Sequence, residues 1–157
     1  MGMQVAHLGI AIFVIGVTMV GAYQEEKDVR MSAGETVAVG GYTIQLQGVN
    51  VAPGPNYQAM RGAFLLMKNG KVETTLYPEK RSYFSSTMPM TEAAIDAGLT
   101  RDVYVSLGEE LADKSWAVRV YYKPFVDWIW GGCLLMALGG VLAMSDKRYR
   151  MKLRRAS

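Results

Sequence analysis

The sequence predicts a membrane protein in which two transmembrane α-helices flank a small antiparallel β domain, sandwich or barrel-like. Three observations carry that expectation. Residues 3–23 and roughly 125–144 are almost purely apolar, and each is close to the ~20 residues that a helix rising ~1.5 Å per residue needs to cross a bilayer core. Between them lie about 100 residues of short alternating runs broken by turn signals, long enough for one core. The chain then closes on SDKRYRMKLRRAS, a basic cluster just beyond the second apolar stretch.

The composition of all 157 residues, half hydrophobic with a net charge of +3, averages over these regimes. The charge is concentrated in Lys147, Arg148, Arg150, Lys152, Arg154 and Arg155. Beside a span such a cluster is the positive-inside signal rather than a nucleic-acid patch, which puts the C-terminus in the cytoplasm. Two spans put the N-terminus there as well and the middle domain in the periplasm or exterior. The expected partition is 1–23 (helix), 24–124 (periplasmic β domain), 125–144 (helix) and 145–157 (basic cytoplasmic tail).

The first apolar stretch, QVAHLGIAIFVIGVTMVGAY in its body, suits a span better than a signal peptide. No Lys or Arg precedes it, it exceeds a usual h-region, and AYQ is a poor cleavage site. Projected at ~100° per residue, His7 shares a face with Met3, Ala11, Val14, Thr18 and Gly21, mostly small residues. Gly9 and Gly16 lie opposite, where another helix can pack. Two helices alone cannot cover both faces.

The polar QEEKDVRMSAGE is expected to lead away from the membrane. Thr36–Val39 and Tyr42–Gln47 flank Gly40-Gly41, and Arg61–Lys68 and Lys71–Tyr77 flank Asn69-Gly70; both are hairpin signals. VAPGPNYQAMRG reads as an irregular loop. Residues 78–98 resist one assignment, although TEAAIDAG suggests a short helix capped by Thr91 and closed by Gly98. Asp102–Leu107 and Trp116–Tyr122 alternate as strands. Trp128 and Trp130 suit the headgroup layer, where Asp127 can reach water. The second span is rich in glycine and alanine, as close helix packing requires. Cys133, the single cysteine, has no disulfide partner in the chain and is read as packing.

His7 is the only histidine. An unpartnered polar side chain in hydrocarbon costs several kcal/mol, so an intramembrane imidazole is a functional candidate. It is either hydrogen-bonded near a helix end or an axial ligand to haem iron, for which neutral imidazole is the common donor. A second axial histidine must come from elsewhere; Met3, Met136 and Met144 are thioether alternatives, though methionine in an apolar helix is usually filler. The charges Glu79, Lys80, Arg81, Glu92, Asp96, Arg101 and Asp102 read first as a solvated face. No hydrolase, zinc, nucleotide or dinucleotide signature is present, so no catalytic residue is assigned.

Ordered along the chain, AHLGIAIFVIGV, GPNYQAMRG, TLYPEKRSY, MPMTEAAID, GLTRDVYVSLGE, WAVRVYYKPFVDWIWGG and LMALGG resemble the C-terminal part of the CcmF family, haem lyases of cytochrome c maturation with a close paralogue in nitrite-reductase cytochrome assembly. The likeness covers essentially the whole chain. It implies a fragment of a larger polytopic bundle in the bacterial inner membrane. It also implies haem b held by two transmembrane histidines, of which His7, in its HLG context, matches the second. The other, the periplasmic haem-ligating histidines and the tryptophan-rich WWD motif would lie upstream; Asp127, Trp128 and Trp130 do not reproduce that motif. The implied partners are the upstream part of the same protein, a CcmE-like haem chaperone, CcmH- and CcmI-like subunits, apocytochrome c, quinol and membrane lipid. On this resemblance the chain carries only part of the lyase. The rival expectation is a non-catalytic two-span scaffold whose exterior β domain binds an assembly partner, with His7 merely packed.

Overall fold

The computed structural model describes residues 1–145; the basic cluster from Lys147 to Arg155 lies outside the described residues. Two compact units form. Among the described residues, one contains Met1–Tyr23, Gly98–Arg101 and residues 124–145; the other contains Gln24–Ala97 and Asp102–Lys123.

The first unit is a helix pair. Helix α1 (Gly2–Tyr23) and helix α2 (Val126–Ser145) are both long and apolar enough to cross a membrane. They run antiparallel with glycines at the seam. A Cβ built on Gly2 would crowd Gly139 and Ala143, one on Gly9 would crowd Gly132 and Met136, and one on Gly16 would crowd Trp128 and Ile129. Gly2, Gly9 and Gly16 on α1, and Gly132 and Gly139 on α2, recur at seven-residue intervals and are the buried residues of their helices. Between apolar helices in lipid, backbone approach and van der Waals contact supply the association. Asp127 stands in the first turn of α2, where a carboxylate complements the helix dipole.

The second unit is an antiparallel β sandwich, as the alternation predicts. In chain order its strands are β1 (Glu25–Met31), β2 (Thr36–Val39), β3 (Tyr42–Pro53), β4 (Tyr57–Lys68), β5 (Lys71–Leu76), β6 (Glu79–Tyr83), β7 (Met90–Glu92), β8 (Ala94–Gly98), β9 (Arg101–Glu110) and β10 (Trp116–Pro124). One sheet has the order β1-β10-β9-β8; the other has β2-β3-β4-β6-β7, with β5 sharing the β6 edge of β4. Inward-facing residues from both sheets, among them Ile44, Leu46, Phe64, Leu66, Val103, Val105, Leu107, Val118 and Val120, close one core.

Both hairpin turns form with left-handed backbone. Gly40 and Gly41 have φ of 53° and 79°, and Asn69 and Gly70 have 51° and 76°. Space around Gly70 is open, so Gly70→Ala isolates the backbone cost. It is expected to lower stability in urea unfolding by about 1–2 kcal/mol; an unchanged midpoint would contradict the φ seen here.

One strand goes beyond the expectations and two expectations are corrected. QEEKDVRMSAGE contains a strand: Glu25–Met31 pairs residue for residue with Tyr122–Trp116. Its outward charges find partners, Asp28 with Arg119, while Met31 enters the core. VAPGPNYQAMRG is no irregular loop, because β3 and β4 continue through it to the pair Pro53–Gln58, and the Gly54 amide donates to the Tyr57 carbonyl at 2.8 Å. Finally, TEAAIDAG is not helical. Its residues form the end of β7 and all of β8, strands of different sheets, with Thr91 paired to Lys80 and Ala94 packed against the core. Eight residues are too few for a self-sustaining helix, and sheet hydrogen bonds outcompete a cap.

Candidate functional site

His7 lies in the second turn of α1, on the side away from the glycine seam. It and its face-mates Met3, Ala11, Val14, Thr18 and Gly21 are all exposed, while Gly2, Gly9 and Gly16 are buried against α2. This division follows from the sequence spacing: seven residues are nearly two helical turns, so the three glycines align and the histidine is left opposite.

The ring is held by its own helix. Nδ1 stands 2.6 Å from the Met3 carbonyl oxygen one turn earlier. A carbonyl only accepts, so Nδ1 is the donor in this bond and Nε2 is the nitrogen left available. Such a bond is the usual way a metal-binding imidazole has its tautomer fixed and its basicity raised. The residues present therefore fit an axial ligand of a haem. Nε2 is left out of the Met3 bond, and the surrounding face is apolar and of modest bulk, as a porphyrin edge requires.

The thioether alternatives separate. Met136 packs its Cγ against Gly9 in the seam, on the opposite side of α1 from His7, which removes it as a partner ligand. Met3 supplies its carbonyl to the imidazole, and Met144 is exposed at the C-terminal end of α2, the end that packs beside Gly2. Among the described residues no group of three or more histidine, cysteine or carboxylate side chains is placed to hold a metal ion.

The charged cluster is not simply the solvated face expected of it. Glu79 is only 5% exposed and Asp102 is buried as well. Glu79 Oε1 accepts from Arg61 Nε and Nη2, both at 2.5 Å, and Oε2 accepts from Arg81 Nε at 2.8 Å. Arg81 Nη1 also reaches Glu92 at 3.3 Å, and its guanidinium carbon lies 4.7 Å from the centre of the Tyr57 ring. Tyr57 in turn packs against Tyr83 at 5.3 Å. The hydrogen bond from Arg81, and then that from Arg61, holds the Glu79 carboxyl below its ordinary range against the opposing effect of burial. Asp102 accepts from the Tyr104 hydroxyl at 3.3 Å, and Lys80 pairs with Glu109. The network is a satisfied structural clasp joining β4, β6 and β7. Its signal in the sequence was the alternation of EKRSY, which puts Glu79 and Arg81 on one face; the pairing of Arg61 with Glu79 across strands was not legible.

Residues 22–124 match the family model described as the CcmF C-terminal beta-sandwich. The chain is 52% identical over 153 residues to the cytochrome c-type biogenesis protein CcmF of Pseudomonas aeruginosa, covering 98% of this chain and 23% of that relative. It is 48% identical over 151 residues to the CcmF protein of Escherichia coli, covering 96% of this chain and 23% of the relative. It thus spans less than a quarter of the length of these relatives. A solved structure titled Cytochrome c Heme Lyase CcmF shares the fold, with a TM-score of 0.73 over 89% of this chain and 23% of that one, at 21% identity. By sequence and by fold, the chain belongs to the CcmF family and carries its C-terminal β sandwich.

Proposed function

We propose that this chain is the C-terminal portion of a membrane haem lyase in cytochrome c biogenesis, in which His7 contributes one axial ligand to a haem b. The second ligand comes from a segment outside this chain. The observation that carries the proposal is the imidazole itself: Nδ1–H is tied to the Met3 carbonyl, and the ring stands on the exposed face of an apolar helix whose other face is filled by α2. Haem bound there supplies one-electron chemistry, with its potential set by burial and axial donors. His7 orients Nε2, the Met3 carbonyl holds the ring, and Ala11 and Val14 exclude water. A quinol is the proposed electron donor, keeping incoming haem iron reduced for thioether formation.

The topology belongs to the same proposal. The basic tail beyond Ser145 marks the cytoplasmic side of a bacterial inner membrane, so both termini are cytoplasmic and the β sandwich is periplasmic. There it bears on haem handed over by a CcmE-like chaperone, on CcmH- and CcmI-like subunits, and on apocytochrome c. The acceptor chemistry is addition of cysteine thiols to the haem vinyl groups.

The test is spectroscopic. In the longer protein purified with its remaining spans, His7→Ala is expected to abolish the low-spin b-type absorbance, with recovery on adding imidazole. An unchanged spectrum would overturn the ligand assignment and leave the two-span scaffold as the reading. His7→Gly with imidazole distinguishes a lost ligand from a lost fold.

A further inference from the structure

The entrance to α2 makes a set of contacts that neither a haem ligand nor a sandwich core requires. Pro124 ends β10, and Phe125, just before α2, has a left-handed φ of 57°. The Phe125 amide donates to the Thr100 carbonyl at 2.9 Å, and the Trp128 indole N–H donates to the Leu99 carbonyl at 3.0 Å. The Phe125 and Trp128 rings meet edge to face at 5.1 Å. Two consecutive carbonyls of the Gly98–Arg101 turn are therefore satisfied by the first residues of the helix. The turn packs with the helix pair, in one compact unit with it.

What the turn holds out is apolar. Leu99 is 79% exposed. Trp130, 66% exposed, lies one turn into α2, and Tyr23, exposed at the end of α1, belongs to the same end of the antiparallel pair. Tyrosine and tryptophan at one end of a helix pair are the composition of a membrane–water interface belt.

We propose that the Gly98–Arg101 turn is a lipid anchor, with Leu99 inserted at the boundary of headgroups and acyl chains and Trp128 acting as its tether. Continuity with the spans favours lipid over a protein partner: the turn is bonded to the residue just before α2 and to one in its first turn. Backbone that approaches the hydrocarbon loses water as a partner, and the Phe125 amide and the Trp128 indole satisfy the Thr100 and Leu99 carbonyls from within the protein. An ordinary hairpin tip in water is built from polar residues, and leucine there gains nothing from solvent.

The experiment places an environment-sensitive fluorophore on Leu99→Cys in the full chain, with Cys133→Ala removing the native thiol. The protein is reconstituted in phosphatidylcholine–phosphatidylglycerol vesicles. Nitroxide-labelled lipid is expected to remove most of the emission, whereas aqueous iodide removes little. The reverse is expected for the same label on Val72→Cys, an exposed position in β5. Adding Trp128→Phe is expected to cut the lipid quenching at position 99 while leaving that at Val72→Cys unchanged. The proposal is overturned if the label at 99 responds to iodide as the Val72 label does, or is shielded from both quenchers, which would mean that protein covers it. None of these readings depends on haem.

Discussion

Gly132→Leu is expected to drive the two helices apart. A Cβ built at Gly132 would sit 2.6 Å from the Phe13 amide nitrogen and 2.7 Å from both the Gly9 carbonyl oxygen and the Phe13 Cβ. Two of these three atoms are backbone, so no side-chain rotation relieves the clash. Overpacking a tight site costs about 1–3 kcal/mol, and more where backbone must move. The control lies on the same helix: Gly140 has nothing within 4 Å of its built Cβ, so Gly140→Leu is expected to be tolerated. Spin labels on α1 and α2 report the separation directly, and thermal unfolding in detergent reports the cost. Equal distances and equal melting for the two variants would refute the glycine seam. The outcome bears on function, because the seam turns the opposite face of α1, with His7, away from α2.

Glu79→Gln is expected to destabilise the β sandwich by about 2–4 kcal/mol in urea unfolding, the range for removing one partner of a buried ion pair with charged hydrogen bonds. The lower half of that range applies if Arg61, half-exposed, finds water. Glu92→Gln is the contrast: its carboxylate is exposed and its 3.3 Å contact with Arg81 is long, so a loss of about 0–1 kcal/mol is expected. Acid unfolding checks the same clasp. Because Glu79 is held below its ordinary 4.5 in the folded state, it binds its proton more readily when unfolded. Its contribution is therefore complete above that value and is lost as the pH falls through the lower, folded value. The wild type is expected to show a stability slope below about pH 4.5 that Glu79→Gln lacks. Identical acid profiles would show that Glu79 carries no such linkage.

The apolar helices, the two left-handed hairpin turns and the strands around Val103 and Val118 were legible because each is written in local pattern. The position of His7 opposite Gly9 and Gly16 was legible for the same reason, since helical periodicity fixes faces before any partner is known. The strand at Glu25–Met31 was hidden by its charges, whose partners appear only once Arg119 of β10 stands opposite Asp28. The segment Thr91–Gly98 has helix signals at both ends, yet it divides between the edges of two sheets. Burial of Glu79 likewise needed the cross-strand register that puts Arg61 opposite it.

By itself, the sequence determined where the chain is apolar enough to cross a bilayer, where it turns, and which side of the first helix carries the imidazole. Only the tertiary structure decided that Met136 belongs to the seam, that Glu79 is shared by Arg61 and Arg81, and that Leu99 is tied to Trp128. The division has one cause. Periodicity and turn chemistry act over a few neighbouring residues, whereas a hydrogen bond between Leu99 and Trp128, or a carboxylate shared by two arginines, exists only once distant segments have been brought together by the burial of the core.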